Sequence, residues 1–221
     1  MMGIPVFRRS LLFPIRLSLL SSEFLLLLGM FETLEMLDRN LLLKINAMHT
    51  PFLDGMMWFM SKSWPTVLII AATAMMFYRK YTLKKAIEFL VGCAIVFAST
   101  DLTTNLIKHA VKRYRPTHNL EIKAQVHVVN DYHGGQYGFY SGHAANTFSV
   151  ITYIFLCIHW IKKNYRMVIF VYPIMVVYSR MYLGVHYPTD IFIGTVSGLF
   201  FGWLGYYIMN KHFLKLDEQK S

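Results

Sequence analysis

The sequence predicts an all-α fold: a polytopic membrane helical bundle with five or six transmembrane helices and an N-terminal amphipathic helix. Three observations predict it. The 221-residue chain is 55% hydrophobic and only 15% charged, with a mean hydropathy of +0.40, a composition of membrane rather than soluble proteins. Apolar runs of about twenty residues, the length that crosses a bilayer, recur along it. Most connections between them are short and several are basic; only residues 109–138 form a long polar one. The net charge of +10 is spread among the apolar spans, so it indicates cytoplasmic loops and an anion site, and no nucleic-acid surface. Cys93 and Cys157 lie inside apolar runs and read as packed thiols, with no disulfide or metal framework. The absence of a repeat or low-complexity linker points to one membrane domain.

In chain order, residues 1–29 read two ways. Arg8 and Arg9 precede an apolar run interrupted by Pro14, Arg16, Ser21, Ser22 and Glu23. The segment is either a poor transmembrane helix or a leader ahead of a start at Met30. Residues 31–50 predict an amphipathic helix, with Leu34, Leu37, Leu41 and Ile45 at helical spacing and Glu32, Glu35, Asp38 and Arg39 elsewhere. Such a helix lies in the membrane interface or packs on the bundle.

The first span is expected over 55–78, with Pro65 as a kink and Lys62 snorkelling or facing protein. The second covers 86–107 and turns polar toward its end. Asp101, Asn105 and Lys108 there form one stripe, which reads as a helix–helix hydrogen-bond seam or as an approach to a site. The third span covers 139–161. The fourth runs to Tyr182, with a kink at Pro173, and the fifth covers 188–210. In the fifth, Gly194, Gly198 and Gly202 recur every fourth residue on the face that begins with Asp190, a seam for close helix packing.

Three polar clusters occupy span ends. Lys108 through Arg115 follow the second span, Ser141-Gly142-His143 opens the third, and Arg180 to Asp190 joins the fourth to the fifth. Alternating direction gathers them on one side of the membrane. Lys108, Arg115 and Arg180 can neutralise phosphoryl oxygens, the arginines two at a time. The amides of Ser141 and Gly142 open a helix, an arrangement suited to an anion, and Gly142 lets the backbone approach. Pro188 suits a first helical turn, which leaves His186 just before the helix and Asp190 within its first turn. One histidine, backed by Asp190, can attack phosphorus, and the other can protonate the leaving oxygen. No carboxylate or cysteine cluster offers a metal site, so cations take the metal's part.

The pattern Lys108-x6-Arg115-Pro116, Ser141-Gly142-His143 and Ser179-Arg180-x5-His186-x3-Asp190 resembles the three-part signature of the type 2 phosphatidic acid phosphatases and vanadium-dependent haloperoxidases. Order and spacing match throughout, and the resemblance covers about residues 52–210. It implies His186 as nucleophile, His143 as general acid, and Asp190 orienting His186. It also implies Lys108, Arg115, Ser141, Gly142 and Arg180 holding phosphate, with no metal and no cofactor. Tyr140 departs from the pattern, since the family usually has proline there; this alters the entry turn and removes no catalytic group. His109, His118, His127 and His133 in or beside the polar loop read as surface histidines, and His159 and His212 as interfacial ones toward the opposite face.

The expected organisation is a leader or anchor with an interfacial helix over 1–51, a membrane phosphatase domain over 52–210, and a cytoplasmic tail over 211–221. The expected function is metal-independent hydrolysis of a lipid phosphomonoester or diphosphate through a phosphohistidine. Candidate substrates are undecaprenyl diphosphate, lipid A phosphates, phosphatidic acid and phosphatidylglycerophosphate, and in a Gram-negative bacterium the first two lead. A non-catalytic anion carrier would not need a nucleophile and an acid, and haloperoxidases are typically larger and soluble. The partners expected are the bilayer and a lipid phosphate, with no nucleic acid; the sequence is silent on oligomeric state. Away from the site, loops and tail carry Arg79, Lys80, Lys84, Lys85, Lys162, Lys163, Arg166, Lys211, Lys215 and Lys220. With the three phosphate ligands set aside, the site side keeps only Lys62, Lys112, Arg113 and Lys123. Because short basic loops stay in the cytoplasm, this imbalance puts the site on the periplasmic face of an inner membrane and the C-terminus inside.

Overall fold

The structure, a computed structural model, describes residues 22–216. Expectations for residues 1–21 and for the end of the tail lie outside the described residues. The described secondary structure is helical, with one isolated bridge between Tyr114 and Tyr137 and no strand among the described residues. Eight α-helices follow in order: α1 Ser22–Asn46, α2 Pro51–Met60, α3 Trp64–Lys80, α4 Leu83–Val111, α5 Gly142–Cys157, α6 Lys163–Met167, α7 Val171–Tyr182 and α8 Pro188–Met209.

The chain divides into two units between Leu37 and Asp38, within α1. In the first, Leu26, Leu34 and Leu37 are exposed, and Thr33 Oγ1 donates to the Gly29 carbonyl at 2.8 Å. In the second, the remainder of α1 buries Asp38, Leu42 and Asn46, while Leu41 is exposed. Of the stripe read from the sequence, Leu34, Leu37 and Leu41 are exposed and only Ile45 packs on protein.

α4 and α8 set the frame. The helix Leu83–Val111 and the apolar stretch Pro188–Leu214 are long and apolar enough to cross a membrane. At 1.5 Å per residue the first measures about 43 Å. The stretch expected as a first span is two helices, broken at Ser61–Ser63. Pro65 lies in the first turn of α3 rather than at a kink, where its missing N–H costs nothing. Lys62 in that break rests its ammonium over the Trp58 ring, 3.6 Å from the centroid. The expected fourth span is likewise assembled from α6, a 3-10 turn over Val168–Phe170, and α7.

α5 packs against α4, α7 and α8. The glycine seam carries the α5–α8 contact. A Cβ on Gly194, Gly198 or Gly202 would stand 2.7, 2.5 and 2.4 Å from the carbonyl oxygens of Ser141, Ala145 and Ser149. Only glycine lets the two backbones approach this closely. Far from the polar clusters, Phe77, Phe89, Tyr153 and Trp160 build an aromatic core that includes Cys93 and Cys157, both free and buried.

Near the polar clusters, hydrogen bonds replace apolar packing. The Asn46 side chain donates to the carbonyls of Tyr182 (2.7 Å) and His127 (2.9 Å) and accepts from the His127 amide (2.7 Å). The Tyr182 hydroxyl donates to Asp54 at 2.6 Å. These bonds tie α1, α2 and the long polar loop to the end of α7, next to the site residues.

Candidate active site

The end of α4, the start of α5 and the α7–α8 turn meet under the polar loop. His186 lies in that turn with 1% of its surface exposed, and Asp190 in the first turn of α8 is fully buried. Tyr187 is extended (φ −73°, ψ 155°), as a residue before proline must be. Asp190 Oδ2 stands 3.7 Å from His186 Nδ1 and accepts the Tyr187 amide at 3.0 Å. The carboxylate thus faces the imidazole while capping its own helix. The Ser141 amide donates to the Asp190 carbonyl at 3.0 Å, which joins the starts of α5 and α8. That amide is consequently taken. Ser141 Oγ accepts from Ala144 at 3.4 Å as the helix N-cap, and its hydroxyl hydrogen remains able to donate. A Cβ on Gly142 would come within 3.8 Å of Lys108 Nζ, so Lys108 reaches the start of α5.

The cations have neutral partners. Arg115 Nε donates to the Tyr137 carbonyl at 3.1 Å and Nη1 to the Val185 carbonyl at 3.4 Å. Arg180 Nη2 donates to the Tyr132 hydroxyl at 3.0 Å, and its Nε is buried without a hydrogen-bond partner. Both side chains are buried, and neither forms an ion pair with a carboxylate among the described residues. Burial and the nearby Arg180 pull Arg115 down to about 10, a sign of like charges held together. Burial, with Arg115, Arg180 and Lys108 close by, holds the His186 imidazole well below its ordinary range. A neutral imidazole beside two buried arginines that form no ion pair is suited to an arriving polyanion.

His143, in the first turn of α5, lines a cavity of about 200 Å³ with Arg180, Tyr132, Trp58 and Lys62. His186 does not line it. The two histidines therefore have different surroundings, one enclosed against Asp190 and the other facing an opening.

The structure brings Lys108, Arg115, Ser141, Gly142, His143, Arg180, His186 and Asp190 to this one end. Asp101 belongs to a helix–helix seam: it accepts from Asn105 (3.0 Å) and from Asn146 of α5 (2.9 Å). His118, His127 and His133 bond within the loop and to Asp54. Tyr140, in the position of the family's proline, is buried with its hydroxyl 3.0 Å from Ser197 Oγ on α8.

Three residues were not anticipated from the sequence. Tyr132 partners Arg180. Arg113 donates to Asp190 Oδ1 at 2.7 Å and to Asp38 Oδ2 at 2.7 Å, and Asp38 is itself 3% exposed. A signal was available for the seating of Arg115, because Gly134 and Gly138 lie against its side chain, where a Cβ would approach to 2.8 and 3.2 Å. These glycines are the wall that the arginine lies along.

The PAP2 superfamily model matches residues 89–214. The chain is 37% identical over 172 residues to a lipid A 4'-phosphatase from Porphyromonas gingivalis, covering 76% of this chain and 71% of that one. It is 35% identical over 194 residues to a lipid A 4'-phosphatase from Bacteroides thetaiotaomicron, covering 86% and 84%. Among solved structures, the transmembrane PAP2 type phosphatidylglycerolphosphate phosphatase from Bacillus subtilis superposes with a TM-score of 0.62 at 25% identity, over 81% of this chain and 88% of that one. Aquifex aeolicus LpxE superposes with a TM-score of 0.58 at 21% identity, over 77% and 95%, which bears on the fold alone.

Proposed function

The chain belongs to the PAP2 superfamily, and on that premise we propose that it is an integral membrane, metal-independent lipid phosphatase acting through a phosphohistidine. The observation that carries this reading is the set of buried cations without carboxylate partners around a neutral, carboxylate-backed His186. Arg115, Arg180 and Lys108 take the phosphoryl oxygens, with the Ser141 hydroxyl and the Gly142 amide at the helix start. His186 attacks phosphorus through Nε2 while Asp190 faces Nδ1 from 3.7 Å. In-line displacement sends the leaving oxygen away from His186, and the cavity that His143 lines supports its exit there, with His143 supplying the proton. Water then hydrolyses the phosphorus–nitrogen bond and releases inorganic phosphate.

Among the candidate lipids, the curated relatives favour a lipid A-type phosphate. The excess of Lys and Arg in the loops away from the site supports a periplasmic active site in an inner membrane. Five or six spans, a leader or anchor with an interfacial helix over 1–51, a phosphatase domain over 52–210 and a cytoplasmic tail over 211–221 complete the reading. The paired histidines and the phosphatase relatives both weigh against a mere anion carrier.

The test is phosphate release from lipid A, undecaprenyl diphosphate, phosphatidic acid and phosphatidylglycerophosphate in detergent with chelator present. Wild-type protein is expected to release phosphate, and His186→Ala to lose several orders of magnitude while still inserting and folding. Activity that survives in His186→Ala, or that needs added magnesium, overturns the reading. For orientation, in a variant without Cys93 and Cys157, a cysteine at Gly135 is expected to react with an impermeant reagent in spheroplasts and one at Asn164 not to. The reverse pattern inverts the protein.

A further inference from the structure

The matched family region begins at residue 89, yet a residue far upstream is linked to the catalytic carboxylate. The link is Arg113. Its Nη1 donates to Asp190 Oδ1 (2.7 Å) and to Thr189 Oγ1 (2.8 Å), and its Nη2 donates to Asp38 Oδ2 (2.7 Å). Its guanidinium carbon lies 4.1 Å from the centre of the Tyr187 ring. Asp38 also accepts the Thr189 amide at 2.9 Å and the Thr189 hydroxyl. Both carboxylates are buried, and Arg113 is the ion-pair partner they share.

Arg113 has no part in holding phosphate, because both ends of its fork are occupied by carboxylates. What it controls is the rotation of Asp190. With Oδ1 held by Arg113 and Oδ2 held by the Tyr187 amide, the carboxylate keeps Oδ2 toward His186 Nδ1. His186 Nδ1 is buried with no hydrogen-bond partner, so this oxygen, 3.7 Å away, is the group that faces it and leaves the attack to Nε2. Asp38 and Thr189 in turn fix the guanidinium, leaving it little rotational freedom.

We propose that Asp38 of α1 and Arg113 of the polar loop form a positioning relay that aims Asp190 at His186, so that the N-terminal helix, outside the matched family region, sets the rate of phosphoryl transfer. This rests on the reading of His186 as nucleophile. A lysine cannot replace Arg113, since a single ammonium does not span two carboxylates.

The test uses full-length protein in detergent with a lipid phosphate. Asp38→Asn keeps the shape of Asp38 and removes its charge, and it is expected to lower kcat about ten- to a hundredfold, the cost of a small misplacement of a reacting group. KM and inhibition by inorganic phosphate should change far less, because the phosphate-holding cations are untouched. Arg113→Gln is expected to lose at least as much kcat, and Arg113→Lys to recover only part of it. The double variant Asp38→Asn with Arg113→Gln should be no worse than Arg113→Gln alone, as members of one chain of contacts require. Losses that multiply, or phosphate inhibition that weakens in parallel with kcat, would reduce the pair to ordinary structural support and overturn the relay. If Arg113→Gln fails to fold, Asp38→Asn still decides: wild-type kcat there overturns the proposal. Should His186→Ala retain activity, the underlying reading falls; if His186→Ala is dead and Asp38→Asn is wild type, the relay alone falls.

Discussion

Arg113 and Arg115 stand two residues apart in the same loop, and their surroundings are opposite. Arg113 binds two buried carboxylates and is electrically complete. Arg115, like Arg180, is buried among carbonyl and hydroxyl oxygens. Burying a charge without its opposite is costly, and a fold retains such a charge where something arriving from outside completes it. The contrast teaches that the counter-charge, rather than the arginine, marks the site. A paired buried cation holds the protein together, and an unpaired one waits for an anion.

The comparison is easiest to break by removing each kind of cation in turn. Arg180→Gln should cost about 10²–10³ in kcat/KM and most of the inhibition by vanadate, as the loss of a preorganised charge contact does. Its melting temperature in detergent should stay within a few degrees of wild type. Arg113→Gln should instead lower stability by about 3–5 kcal/mol, because it strands two carboxylates. Similar melting losses in the two variants would erase the distinction.

A smaller effect separates the histidines. His143→Ala should hurt strongly on a lipid phosphate and far less on an ester with a good leaving group, since only the former needs the proton. Equal losses on both would remove His143 from the role of acid.

Acidity gives a finer test. Burial and the neighbouring cations hold His186 well below the usual 6.5, so the attacking neutral ring persists as the pH falls through that value. The profile of kcat/KM reports the free enzyme. On an activated ester, corrected for the substrate's own ionisation, its acid limb should lie below pH 6.5. A limb at or above 6.5 would mean that the cations do not bear on His186. The smallest effect belongs to the far loop, where Lys162→Gln and Lys163→Gln should leave phosphate release within about twofold, as exposed substitutions usually do.

The signature residues were legible because their spacing carries the chemistry and alternating spans bring them together. The glycine seam was legible because one helical turn separates each pair of glycines. The break at Ser61–Ser63 falls on a polar Ser-Lys-Ser just before Pro65, but a window of about twenty residues averages over three polar positions and reads the stretch as one span. The sequence left the role of the α1 leucine stripe open for a physical reason. A leucine stripe looks the same whether it meets lipid or protein, and here the buried face after Leu37 is Asp38, Leu42 and Asn46. Arg113 and Asp38 were invisible because a long-range pair of charges leaves no local pattern.

The glycine contacts between α5 and α8 have a mechanical consequence. With backbones this close along three successive turns, the two helices behave as one strut, and His143 and Asp190 ride on it at a fixed separation. The cavity that His143 lines takes its other walls from the end of α2 and the break after it, where Lys62 rests on Trp58 and no such strut holds the backbone.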